Sequence, residues 1–135
     1  MLRPTVRPED AEPVRIAGLD KFTGPTTVRG INLALDTDGL QVNALTFDEG
    51  VRSRPHAHDF DQVLLFTQGP GVIAVGDGPD QLVEAGSFVM LPAHVPHMHG
   101  APEGGRAAHI SLMPKGHTNF FDCAIPDEWR RWRED

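Results

Sequence analysis

The feature that most restricts the fold of this chain is its rhythm of short apolar runs, each closed by glycine, proline or aspartate. "TTVRGINLAL" (26–35) sets Val28, then Ile31, Leu33 and Leu35, among polar neighbours and reads as a strand. "LQVNALTF" (40–47) follows the turn "DTDG", and "QVLLFT" (62–67) and "GVIAVG" (71–76) flank "QGPG". "QLVEAG" follows a second turn, "DGPD" (77–80), and "SFVMLP" (87–92), "HMHG" (97–100) and "RAAHISLM" (106–113) complete the series. Alternating runs at this spacing, punctuated by turn residues, predict about eight strands in an all-β sandwich or small barrel. Gly 14 and Pro 12 support the same texture, because they fall between the runs and not in one disordered tract.

The ends differ from the middle. Residues 1–25, rich in proline and charge, read as an N-terminal arm with at most one short strand. Residues 26–116 form the barrel, and 117–135 a C-terminal extension with a short helix. In "IPDEWRRWRED", Asp127 is placed to cap that helix, and Trp129 and Trp132 share a face that would pack on the barrel or on a second subunit. At 135 residues the chain is long enough for one domain with one core.

Composition excludes several classes of function. A net charge of −7 gives no general attraction to nucleic acid phosphates, and the seven histidines are mostly neutral at pH 7. No apolar run approaches a membrane span. The single cysteine, Cys123, has no internal partner and reads as a small buried apolar residue, with a reducing cytoplasm as the expected compartment.

The chemistry is concentrated in "GVRSRPHAHDFDQVLLFTQG" (50–69). On a strand His56 and His58 emerge on one side, roughly 6.5–7 Å apart at Cα, close enough for two imidazoles to meet on one ion. A single H-x-H is common by chance. "GSFVMLPAHVPHMHG" (86–100) repeats the order of turn, strand and histidine with His94, His97 and His99, on a strand that can face the first across a barrel. The alternative is a set of packed polar histidines with separate hydrogen bonds.

Gly50-x5-His56-x-His58-x3-Gln62-x6-Gly69 resembles the first cupin motif, G-x5-H-x-H-x3-E-x6-G, with every spacing kept. Gly86-x5-Pro92-x-His94-x2-His97 resembles the second, G-x5-P-x-G-x2-H-x3-N. The resemblance spans about residues 26–113 and implies a single cupin jelly-roll β-barrel around one divalent metal (Mn, Fe, Ni or Zn). It implies His56, His58, Gln62 and His97 as ligands, and a homodimer joined through the N-terminal arm and a sheet edge.

Three positions depart from the pattern: Gln62 replaces Glu, His94 replaces Gly, and Ala101 replaces Asn. The first matters chemically. A glutamine amide cancels none of the ion's charge, so the site would be a stronger Lewis acid than one holding a carboxylate; alternatively the amide hydrogen-bonds inside the barrel and leaves a three-histidine site.

Within this superfamily the chain is similar to the small bacterial cupins that include manganese-dependent hydroxynitrile lyases. That likeness implies proton transfer by the strand histidine His109; His99, two residues after His97, would face the same cavity and serve as an acid or base, or else hydrogen-bond to a neighbouring strand. Met98 stands where that group has an aromatic residue. Three functions follow as expectations: a redox-neutral lyase or isomerase acting on a small molecule, a metal-dependent dioxygenase, and a non-catalytic binder of metal or small ligands.

Overall fold

The computed structural model describes residues 5–16, 21–35, 37, 39–76 and 78–116, with the backbone of 118–120. The expected C-terminal helix with Asp127, Trp129 and Trp132, together with His117 and Cys123, lies outside these residues. Eleven strands are described: β1 (Pro13–Ile16), β2 (Thr26–Gly30), β3 (Leu40–Phe47), β4 (His56–His58), β5 (Gln62–Gln68), β6 (Gly71–Val75), β7 (Gln81–Val83), β8 (Phe88–Leu91), β9 (His97–Gly100), β10 (Ala107–Pro114) and β11 (Thr118–Phe120). They form two antiparallel sheets, ordered β1-β2-β3-β10-β5-β8 and β11-β4-β9-β6-β7. The fold is the expected all-β jelly roll, and its second sheet continues past residue 116 through the pairing of β11 with β4.

One expected strand is corrected. Only residues 26–30 of the 26–35 run are extended, and Ile31–Ala34 make a single helical turn, α1. Strand β2 loses its partner after Gly30 pairs with Asn43, so the backbone must satisfy its polar groups locally. Asn32 secures the reversal: it is buried, and its Oδ1 accepts from the Val42 amide at 3.1 Å. Apolar spacing in that run therefore reported a compact turn.

Strand alternation sorts the six-stranded sheet into two faces. Inward go Leu45 and Phe47 from β3, Leu64 and Phe66 from β5, and Val89 and Leu91 from β8. These join Ile73, Val83, Ala101 and Ala107 in one core cluster. Outward, the register aligns two apolar rows, Val42–Leu112–Val63–Met90 and Ala44–Ile110–Leu65–Phe88. Phe88 and Met90 are 67% and 64% exposed. No described helix is long and apolar enough to cross a membrane.

Turn backbone explains two motif glycines and one departure. Gly50 and Gly86 have φ of +71° and +90°, a region that side chains disfavour. His94, where the pattern has glycine, also takes a left-handed φ of +67°. It is a turn residue whose exposed ring lies 3.7 Å from Asp59, away from the other histidines of the motifs.

Candidate metal centre

Two neighbouring strands supply the histidines. His56 begins β4, His97 begins β9, and the antiparallel register sets them opposite each other. Directly opposed side chains start about 4.5–5.5 Å apart at Cβ, and these two ring centroids lie 4.3 Å apart. His58 and His99 follow two residues later on the same inward face. The His58 ring is 5.1 Å from His56 and 5.3 Å from His97, and the His99 ring is 5.2 Å and 5.9 Å from the same two.

Backbone contacts aim the first pair. Nδ1 of His56 donates to the Arg54 carbonyl at 2.7 Å, and Nδ1 of His97 to the Val95 carbonyl at 3.0 Å. A proton held on Nδ1 leaves a lone pair on Nε2. Among the described residues, the Nε2 of His97 is buried without a hydrogen-bond partner. One ring nitrogen from each of His56, His97 and His99 lies within 4.8 Å of the other two, so these three buried residues could hold a metal ion. A cation is the natural partner for the inward-turned lone pair of His97, which no described group satisfies.

His58 is held differently. Its Nε2 lies 3.1 Å from Oε1 of Gln62, while Nε2 of Gln62 donates to Ser111 Oγ at 2.7 Å. Ser111 thus engages the amide nitrogen and leaves the oxygen on the histidine side. Two ligands at right angles, each ~2.1 Å from one ion, stand about 3 Å apart. The His58–Gln62 spacing suits a hydrogen bond and equally suits two adjacent ligands. Phe60 stacks on the outer side of His58, with centroids 5.3 Å apart.

Behind this group, His99 Nδ1 and His109 Nε2 are 3.0 Å apart. If His99 offers Nε2 to a cation, its Nδ1–H must donate to His109, so the tautomers of the two rings are coupled. Phe47 and Phe66 wall in His109, with centroids 5.3 Å and 5.1 Å away. Ser53 fixes the His99 backbone: its hydroxyl accepts from the His99 amide at 3.0 Å, and its own amide donates to the His99 carbonyl at 2.8 Å.

Burial keeps these rings neutral. It lowers His97 to about 4 and His109 to about 3. His56 and His99 are pushed well below the ordinary imidazole value by burial, reinforced by the neighbouring rings. His58 is lowered by burial, against the opposing effect of its Gln62 contact. Neutral imidazoles are the form that binds metals, so near pH 7 protons compete weakly for this site.

A cavity of about 260 Å³ opens beside the cluster. His56, His58, Gln62, His99 and Ser111 line its inner wall, and Phe22, Val28, Leu45 and Met113 supply apolar surface. His109 is absent from the lining and meets the cavity through His99. Sequence reasoning had not singled out Ser53, Phe60 or Ser111. Ser111 was within reach of strand alternation, two residues after His109 on the same face, whereas Ser53 joins His99 only through tertiary contact.

A jelly-roll barrel with histidines from separate strands gathered on its inner wall is the architecture of the cupin superfamily, and this chain is a cupin. More narrowly, it belongs to the family of AraC-like ligand binding domains, whose model matches residues 46–122. It is 24% identical over 115 residues to an (R)-mandelonitrile lyase of Granulicella tundricola, covering 83% of this chain and 88% of that protein. A cupin-like protein of Thermotoga maritima superposes with a TM-score of 0.75 at 26% identity, over 91% of this chain and 96% of the other. A polyketide cyclase of Streptomyces resistomycificus shares the fold with a TM-score of 0.77 at 18% identity, over 98% and 100%.

Proposed function

We propose that this chain is a divalent-metal enzyme catalysing a redox-neutral lyase or isomerase reaction on a small hydroxyl- or carbonyl-bearing molecule. The observation that carries the reading is the buried, partnerless Nε2 of His97 among converging nitrogens of His56 and His99. His56, His58, Gln62 and His97 would hold the ion, with His99 at its edge as the proton carrier. A bound divalent ion would supply Lewis acidity, undiminished by any carboxylate ligand. His99 lines the cavity and touches His109, so a proton taken from the cavity can be shared along that pair. Phe47 and Phe66 keep water from the back of the relay. Support for the reaction class comes from the relative named as a lyase.

The test is reconstitution with Mn²⁺, Fe²⁺, Ni²⁺ or Zn²⁺, followed by elemental analysis. Proton NMR in D₂O with small hydroxy and keto compounds, mandelonitrile included, is then run beside an oxygen electrode. Metal-dependent turnover or deuterium exchange without oxygen uptake supports the reading. Stoichiometric oxygen consumption would turn it to a dioxygenase, and metal at background for every ion would remove it. Metal retained in His99→Ala and lost in His56→Ala supports the ligand set; loss in both would make His99 a ligand.

We also propose that the chain forms a homodimer through the outer face of the six-stranded sheet. The two aligned rows there hold eight apolar side chains, with Arg29 and Glu9 at their edge beside Ala44 and Ile110. In a chain of net charge −7, such a face lets two copies meet with their like charges kept at the rim.

A further inference from the structure

The chain contains only two lysines, Lys21 and Lys115. Lys21 lines the cavity beside the histidines. Lys115 lines a second, more open cavity of about 340 Å³. The two cavities share two wall residues, Gln41 and Asn43, neighbours on the inward face of β3. No aspartate or glutamate lines either cavity among the described residues, in a chain where acids outnumber bases 19 to 12. Gln41 and Asn43 are half-buried, and their carboxamides make no hydrogen bond to the described protein. Other amides of the interior are engaged: Gln62 with Ser111, and Asn32 with Val42.

We propose that the site is built for small organic anions. A carboxylate would sit against the amide N–H groups of Gln41 and Asn43, with Lys21 and Lys115 on the walls of the two cavities they share. The hydroxyl or carbonyl end of the same molecule would lie toward the histidines. Two adjacent N–H donors match the two oxygens of a carboxylate, and hydrogen bonds to an ionised acceptor are stronger than those to a neutral one. A lysine lining each cavity, with no acid among the described lining residues, favours an anionic over a neutral ligand there. Ile16, Phe22, Val28, Leu45 and Met113 leave an apolar belt between the two polar ends, suited to a short carbon chain. The inner end of this arrangement rests on the metal reading above; the anion end stands on the lysines and amides alone. It also separates this chain from a relative named for a neutral nitrile.

The experiment compares levulinate with levulinamide, a keto acid and its uncharged amide, by calorimetric titration of the full chain with and without metal. Elemental analysis runs alongside, so that failure of the metal site is read separately. Levulinate should bind about tenfold or more tightly than levulinamide in both forms of the protein. That preference should shrink as ionic strength rises. Asn43→Ala should abolish most of it, and Lys21→Gln and Lys115→Gln should each weaken acid binding about twofold to fivefold, with the amide unaffected. Equal binding of acid and amide, binding of neither, or a preference that survives Asn43→Ala and the double lysine variant would overturn the proposal. A preference for the acid in metal-free protein upholds it even if the metal reading fails.

Discussion

The two halves of the barrel interior are built from the same strands and obey opposite rules. Along β3 the inward residues run Gln41, Asn43, Leu45, Phe47; along β5, Gln62, Leu64, Phe66; along β10, Met113, Ser111, His109, Ala107. Because the strands are antiparallel and in register, each polar end falls at the same end of the barrel. One half is a closed apolar core centred on Phe47, Phe66 and Leu64. The other gathers imidazoles and amides, two of whose buried nitrogens have no hydrogen-bond partner among the described residues. The apolar half stabilises the fold by removing surface from water. The polar half leaves buried nitrogens without a described partner, so the difference separates the part that closes the core from the part shaped for a ligand.

Acid should break the polar half first. His97 and His109 have folded values of about 4 and about 3 against 6.5 when exposed, so below pH 6.5 the unfolded chain binds protons that the native chain refuses. Stability contributed by each group is complete above 6.5 and falls as pH drops toward its folded value, by about 1.4 kcal/mol per pH unit per histidine. Melting temperatures of the metal-free protein should therefore decline steeply from pH 6.5 to 4. A flat profile would mean the rings are not held neutral by burial.

The apolar half is tested by Phe66→Ala. Truncating this fully buried ring should lower stability by about 3–5 kcal/mol, measured by urea denaturation, and loosen His109, which packs on it. A loss under about 1 kcal/mol would show that the core collapses around the gap and that the division into halves is weaker than drawn.

Metal should invert the comparison. At a free concentration about a hundredfold above Kd, a bound ion raises stability by about 2.7 kcal/mol. In His97→Ala that gain should vanish, with metal at background by elemental analysis. Thermal shifts of equal size in wild type and variant would detach His97 from the site.

The smallest effect belongs outside both halves. Phe88→Glu should leave the stability of the folded monomer within about 0.5 kcal/mol, because the ring is 67% exposed. If the proposed dimer forms, the substitution should turn it into a monomer in light scattering; a wild type that is already monomeric would remove the proposed interface. A variant still dimeric would move the interface to another face.

Much of this was legible beforehand. Alternation in "LQVNALTF" and "QVLLFT" marked β3 and β5, because a half-buried strand must alternate. The spacing of His56, His58 and His97 marked the residues that the fold gathers. The run 26–35 misled because its apolar residues suit a strand, while the missing partner beyond Gly30 is a fact of the sheet. Strand spacing sets His109 on the face opposite Ile110 and Leu112, but cannot tell whether that face lines the cavity or meets the surface.

The sequence by itself determined most of the strands, the alternation of their side chains and the identity of the chemical groups, since these follow from side-chain period and residue type. Only the tertiary structure decided which groups meet. His56 opposite His97, Gln62 between His58 and Ser111, and His109 behind His99 are contacts between strands far apart in sequence. Each depends on register across a sheet or on packing between the two sheets, and the energy of that arrangement belongs to the whole barrel.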